Sequence, residues 1–220
     1  AMELIKDQEH HFDLVLTMLN VGELDVFDFS QQAKSLSPNT PIVLLASFSK
    51  QIYSFIEKGD RSNIDYVFYW NNSTDVIIAI IKLLEDKLNA DHDILDMGVR
   101  AILLVEDSVR YYSTYLPLLY KLVLQQNMES IKDALNEQQQ YMRKRARPKI
   151  LMATCYDEAV SLYERYKSNI LGVISDVGFV IHKGDSSTTE KIDAGVDLCR
   201  LIKKDNPTMP FLMQSSQESM

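Results

Sequence analysis

Three carboxylates and a hydroxyl stand where chemistry is expected in this chain: the adjacent pair Glu106 and Asp107, then Asp176, then Ser215. Each follows closely on a short apolar run. AILLV (101–105) leads into the acidic pair, ILGVIS (170–175) into Asp176, and PFLM (210–213) into Gln214, Ser215 and Ser216. Short continuous apolar runs are the pattern of strands buried on both faces of a parallel sheet. In a doubly wound sheet, loops at the carboxyl ends of the strands line the ligand crevice, so these four side chains are predicted to meet there. Carboxylates gathered in one small pocket repel each other unless a cation sits between them. All are oxygen ligands, which suits a hard ion such as Mg²⁺, held by few carboxylates and several waters.

The elements that must position them alternate between strand and helix. Around the acidic residues the pattern predicts strands at 101–105, 148–153, 170–175 and 210–213, with helices from about 108, at 156–167 and at 192–204. In the first part it predicts helices at 1–10, 24–35, 49–57 and 74–88, and strands at 12–18, 41–45 and 66–69. Alternation of this kind implies right-handed crossovers and a parallel sheet, an α/β fold. The two parts repeat one another. Val15-Leu16-Thr17-Met18 lies over Val173-Ile174-Ser175-Asp176, and Pro41 to Leu45 over Pro210 to Gln214. The chain therefore reads as two incomplete copies of one unit, 1–98 and 99–220, joined by a connector at 88–99. The first lacks the opening strands and the second the closing one, as expected of a piece of a longer polypeptide whose sheet edges must be paired or covered.

The strings LLVED, SDV and PFLMQSS, with Gly195 in AGVDLCRLIK, resemble the receiver domain of two-component response regulators. The resemblance implies a flavodoxin-like doubly wound sheet. It makes Asp176 the phosphoacceptor and Ser215 the hydroxyl that contacts the phosphoryl group. Glu106, Asp107, Asp176 and the backbone carbonyl of Gly178 become the Mg²⁺ ligands. It further implies a bacterial, cytoplasmic phosphorelay protein with a histidine kinase or phosphotransfer partner, and no enzyme activity beyond taking and losing a phosphoryl group. The family's fifth-strand lysine has no counterpart before Met220, so the chain alone is expected to phosphorylate poorly or not at all. In the first unit Met18, Ala46 and Tyr69 stand where the acceptor, hydroxyl and lysine would be. That is the pattern of a pseudo-receiver kept for contacts. A fainter similarity, in LLVEDSVRYYSTYLPLLY, is to the N-terminal region of phosphoenolpyruvate synthase-like proteins. This leaves open a regulatory region of such an enzyme, and a phosphorylation-independent scaffold is the third reading.

Composition bounds the alternatives. The formal net charge is −8, and residues 1–98 hold 16 Asp/Glu against 7 Lys/Arg, which argues against a nucleic-acid surface there. No apolar run approaches the ~20 residues of a membrane span. Two distant cysteines suggest reduced thiols in the cytoplasm and no disulfide framework. His10, His11, His92 and His182 show no metal-ligand spacing. The basic run Arg143, Lys144, Arg145, Arg147 and Lys149 reads as a helix C-terminus, with a phosphate-binding arm as the sharper alternative.

About forty residues separate the first two strands of the second unit, where the family has one short helix. Leu124, Met128, Ile131, Leu135 and Met142 form a heptad-like stripe on a helical extension around 121–147. It serves either an insertion folding back on its own domain or pairing with another helix, including that of a second copy in a homodimer. Pro117 kinks this helix or marks its true start. Tyr111, Tyr112, Tyr115 and Tyr120 are expected partly under the helix and partly at the pocket mouth. The polar stretch 182–191 reads as a loop insertion beside the pocket.

Overall fold

The computed structural model describes residues 2–6, 12–21, 24–47, 59–70, 72–185 and 189–215. The chain divides into two compact units, Ala1–Val76 and Ile77–Met220. No described helix is long and apolar enough to cross a membrane. The fold is α/β, and both main sheets are parallel.

In the first unit α1 (Met2–Lys6), β1 (Val15–Met18), the short β2 (Asn20–Val21) and β3 (Leu24–Asp25), α2 (Val26–Leu36), β4 (Ile42–Ser47) and β5 (Tyr66–Trp70) follow in order. The main sheet runs β1-β4-β5, and β2 and β3 form a separate antiparallel pair. Asp25 caps α2 by accepting from the Phe27 amide at 2.7 Å. Phe29, Ala33 and Ile42 make a small core. The helix expected at 49–57 lies outside the described residues.

The second unit opens with most of α3 (Asp75–Leu88) and a wide π-type helical turn, Asp91–Asp96. Then come β6 (Ala101–Val105), α4 (Val109–Lys132), α5 (Glu137–Arg145), β7 (Lys149–Ala153), α6 (Tyr156–Tyr166), β8 (Ile170–Asp176), α7 (Ala194–Asp205) and β9 (Phe211–Gln214). The four parallel strands are ordered β7-β6-β8-β9. β6 is buried nearly throughout, as its unbroken apolar run requires, and β7 completely so. One core joins Leu103, Val105, Leu151, Tyr163, Val173, Phe179, Leu198 and Ile202.

The duplication seen in the strings recurs in the backbone. Val15 pairs with Ile42, and Val173 pairs with Phe211, at matching registers. The amide of Val15 donates to the Pro41 carbonyl at 2.9 Å, and that of Val173 to the Pro210 carbonyl at 2.9 Å. The preceding loops agree as well. Lys34 reaches back to the carbonyls of Pro38 and Thr40, and Lys203 to those of Pro207 and Met209. Each proline ends helical propagation, and each lysine, in the last turn of its helix, bonds carbonyls of the loop that follows.

The long helical insertion folds back on its own unit. α4 stops at Lys132, and Asn136 starts α5 by accepting from the Gln139 amide at 2.8 Å. Arg143 then closes the hairpin with a bond to the Ser130 carbonyl. The expected single extension is therefore two helices. Leu124, Met128 and Ile131 lie on α4 and Met142 on α5, while Leu135 sits in the turn, 89% exposed. The heptad spacing spans a capping asparagine, and a cap overrides apolar periodicity because it offers the backbone an alternative partner. Pro117 lies buried inside α4 and does not mark its start.

The basic run divides. Arg143 and Lys144 occupy the last turn of α5, where cations suit the helix dipole. Arg147 and Lys149 are instead buried, and both pair with Asp86 of α3, which has no exposed surface. Asp86 also accepts from the Tyr120 hydroxyl at 3.0 Å and the Ile150 amide at 2.9 Å. Lys149 pairs in addition with Asp93, and Arg165 with Asp91. These contacts build the segment 86–96 into the second unit. A buried carboxylate with several charged and neutral donors escapes the large desolvation cost of an unpaired one.

Candidate functional site

β6 and β8 are adjacent and parallel, so their carboxyl ends open on the same edge of the sheet. Glu106 and Asp107 leave β6 there, and Asp176 ends β8. These three residues each offer an oxygen within 4.8 Å of the others. Gln214 ends β9 directly opposite Asp176 in the register. The convergence expected of the three carboxylates is present. Ser215 follows Gln214 and is exposed. From β9, Gln214 reaches into the carboxylates, its amide nitrogen donating to Glu106 at 3.3 Å.

Each acid is held differently. Glu106 is only 1% exposed, and its other oxygen accepts from the Ser108 amide at 3.1 Å. Asp107 is half-buried and accepts from the Val180 amide at 3.1 Å, which ties the loop after β8 to the site. Asp176 accepts from the Val177 amide at 2.7 Å. Burial, with the charge of Asp176 beside it, pushes Glu106 up to about 8. Burial, then the charges of Glu190 and Asp176, raises Asp107 to about 6. Burial raises Asp176 above its ordinary value as well. Three acids that are costly to ionise together, all with hard oxygen donors, fit a divalent cation of the Mg²⁺ type.

Gly195 explains how closely α7 approaches. A Cβ there would stand 2.1 Å from the Asp176 carbonyl oxygen and 3.1 Å from the Asp176 carbonyl carbon and the Val177 Cα. The Gly195 amide donates to the Val177 carbonyl at 2.9 Å. Only a residue without a side chain lets the helix lean on the backbone that carries Asp176. Gly178 packs its Cα side against Ile192, 3.5 Å from the position of an added Cβ.

Two further residues belong to this neighbourhood. Glu190 is raised by burial and by the charge of Asp176. It precedes Lys191, which forms an antiparallel bridge with Phe179 and so returns the loop to the site. No spacing marks Glu190 in the sequence, where it is one acid in a polar loop. Among the tyrosines, Tyr112 and Tyr120 are buried under α4. Tyr111 and Tyr115 stack with ring centroids 6.0 Å apart. Burial and the charge of Glu106 raise the Tyr115 phenol, which places that ring beside the acids.

His182 pairs with Asp157 at 2.7 Å, and His92 with Asp96 at 3.3 Å. Cys155 and Cys199 are free thiols. Compared with protein-family models, with curated proteins and with solved structures, the chain finds no match.

Proposed function

We propose that the second unit is a phosphoaccepting receiver module of the response-regulator type, in which Asp176 takes the phosphoryl group. The observation that carries this reading is the meeting of Glu106, Asp107 and Asp176 at the carboxyl edge of adjacent parallel strands. The strand order β7-β6-β8-β9 supports the finer assignment to a flavodoxin-like sheet, whose ligand crevice lies where the chain order reverses around the first strand.

In this reading an oxygen of Asp176 bonds to phosphorus as the donor's own bond to phosphorus breaks, giving an acyl phosphate. Such a step needs little beyond positioning and charge neutralisation. Glu106, Asp107 and Asp176 would hold Mg²⁺, with the Gly178 carbonyl as a further ligand. Bound there, the ion neutralises charge on the acids and on the transferred group. Gln214 orients Glu106, and Ser215, the next residue, is the hydroxyl that would contact a phosphoryl oxygen. The first unit is a pseudo-receiver. Met18 is 60% exposed at the acceptor position, while Ala46 and Tyr69 are buried and pair across β4 and β5. A thioether, a methyl and a phenol make no cation site.

The test is NMR of the labelled second unit completed by a fifth strand that carries the family's lysine, titrated with Mg²⁺ and then with beryllofluoride. Amides around Asp176 and Gln214 should shift in two saturable steps, and Asp176→Ala should lose the beryllofluoride step. Equal responses in the wild type and Asp176→Ala, or none in either, would overturn the reading.

A further inference from the structure

The helical hairpin leaves an open groove of about 340 Å³ between α4, α5 and the start of β7. Leu122, Val123, Ala146 and Pro148 supply apolar walls, and Asn127 and Arg143 polar edges. It lies far from the carboxylates. α4 begins beside them at Val109, and Leu122 is thirteen residues further on, roughly 20 Å along the helix. Pro148 precedes the amino end of β7, so the groove opens at the opposite edge of the sheet.

The chemistry of the lining restricts what fits. Arg143 spends one N–H on the Ser130 carbonyl, and a guanidinium carries five donors in a planar fork. That fork matches a carboxylate with two parallel bonds. Among the described side chains, Arg143 is the charged one that lines the groove. One cation suits a monoanion better than a dianion such as phosphate, and the apolar wall of Leu122, Val123, Ala146 and Pro148 suits a short hydrocarbon body, with Gln126, Asn127 and Ser130 at its polar side.

We propose that this groove is a second ligand site, taking a small amphipathic monocarboxylate whose anionic head pairs with Arg143 and whose apolar body lies along Leu122, Val123, Ala146 and Pro148. The proposal stands apart from phosphoacceptance, since no residue is shared with the acidic site.

Octanoate is the probe, with octylamine and octanol as controls of the same chain length, each followed by NMR of the labelled protein. Octanoate should shift the amides of 122–130 and 143–148 at low-millimolar concentration, with octanol weaker and octylamine absent. Arg143→Gln should weaken octanoate binding roughly tenfold, with Arg143→Lys intermediate. Val123→Trp should block both octanoate and octanol by filling the groove. Thermal melts identify any variant that fails to fold, and the exposed Ala146→Trp then replaces Val123→Trp. The site is refuted if octanoate and octylamine bind alike, if Arg143→Gln binds octanoate as well as wild type, or if no probe shifts these amides.

Discussion

Substituting Gly195 by alanine tests how the fold holds the acidic site. The added methyl would lie 2.1 Å from the Asp176 carbonyl oxygen, against the 3.4 Å or more of ordinary contact. About 1.3 Å must therefore be found between α7 and the end of β8, and both neighbours are backbone. Overpacking of this kind costs ~1–3 kcal/mol, and loss of the Gly195–Val177 hydrogen bond adds ~1 kcal/mol. A total of about 2–4 kcal/mol is a large share of the ~5–15 kcal/mol that holds a domain together. The same movement displaces Asp176 by about an ångström, enough to disturb a cluster whose oxygens lie within 4.8 Å. Urea unfolding followed by circular dichroism reads the first effect, and Mg²⁺ titration by calorimetry under native conditions the second. Gly184→Ala is the control. Its φ of +92° makes alanine strained, yet nothing lies within 4 Å, so it should cost ~1–2 kcal/mol without altering Mg²⁺ affinity. If Gly195→Ala loses less than about 0.5 kcal/mol, or binds Mg²⁺ as the wild type does, the close approach of α7 does not position the site.

The remaining predictions concern charge. Asp86→Ala should destabilise the second unit by ~3–5 kcal/mol in urea unfolding, because it strands Arg147 and Lys149 as buried cations. In Asp86→Ala, Arg147→Met should then recover part of that loss. The raised acids give a pH dependence of definite sign. Glu106 folded holds its proton up to about pH 8, whereas unfolded it releases it near the ordinary carboxylate value. Stability without metal is therefore complete below the unfolded value and is lost as pH rises towards about 8, by on the order of a few kcal/mol. Thermal melts across that range should show the decline in metal-free protein, a flatter profile with saturating Mg²⁺, and a flatter profile in Glu106→Gln. An unchanged slope in Glu106→Gln would count against this acid as its source.

Much of this architecture can be read from local pattern. The runs AILLV and ILGVIS are strands because an unbroken apolar segment suits the interior of a parallel sheet, PFLM adds the half-exposed edge strand beside them, and each is followed by its polar residue at the carboxyl end. The internal repeat is equally visible, since each copy carries prolines in the loop before its last strand, and a lysine in the preceding helix turn bonds that loop locally. Sequence periodicity also indicates helix over 121–147, but not its reversal at Asn136, because a two-helix hairpin and one long helix share most of their local preferences. Asp86 and Arg147 are 61 residues apart, and nothing in either neighbourhood announces the other. Gln214 meets Glu106 across 108 residues of chain, a contact that no local pattern announces. Glu190 reaches the acids only through the bridge from Lys191 to Phe179. Strand identity follows from residues next to one another in the chain, whereas side-chain partners depend on the packing of distant segments, and only the folded arrangement carries that information.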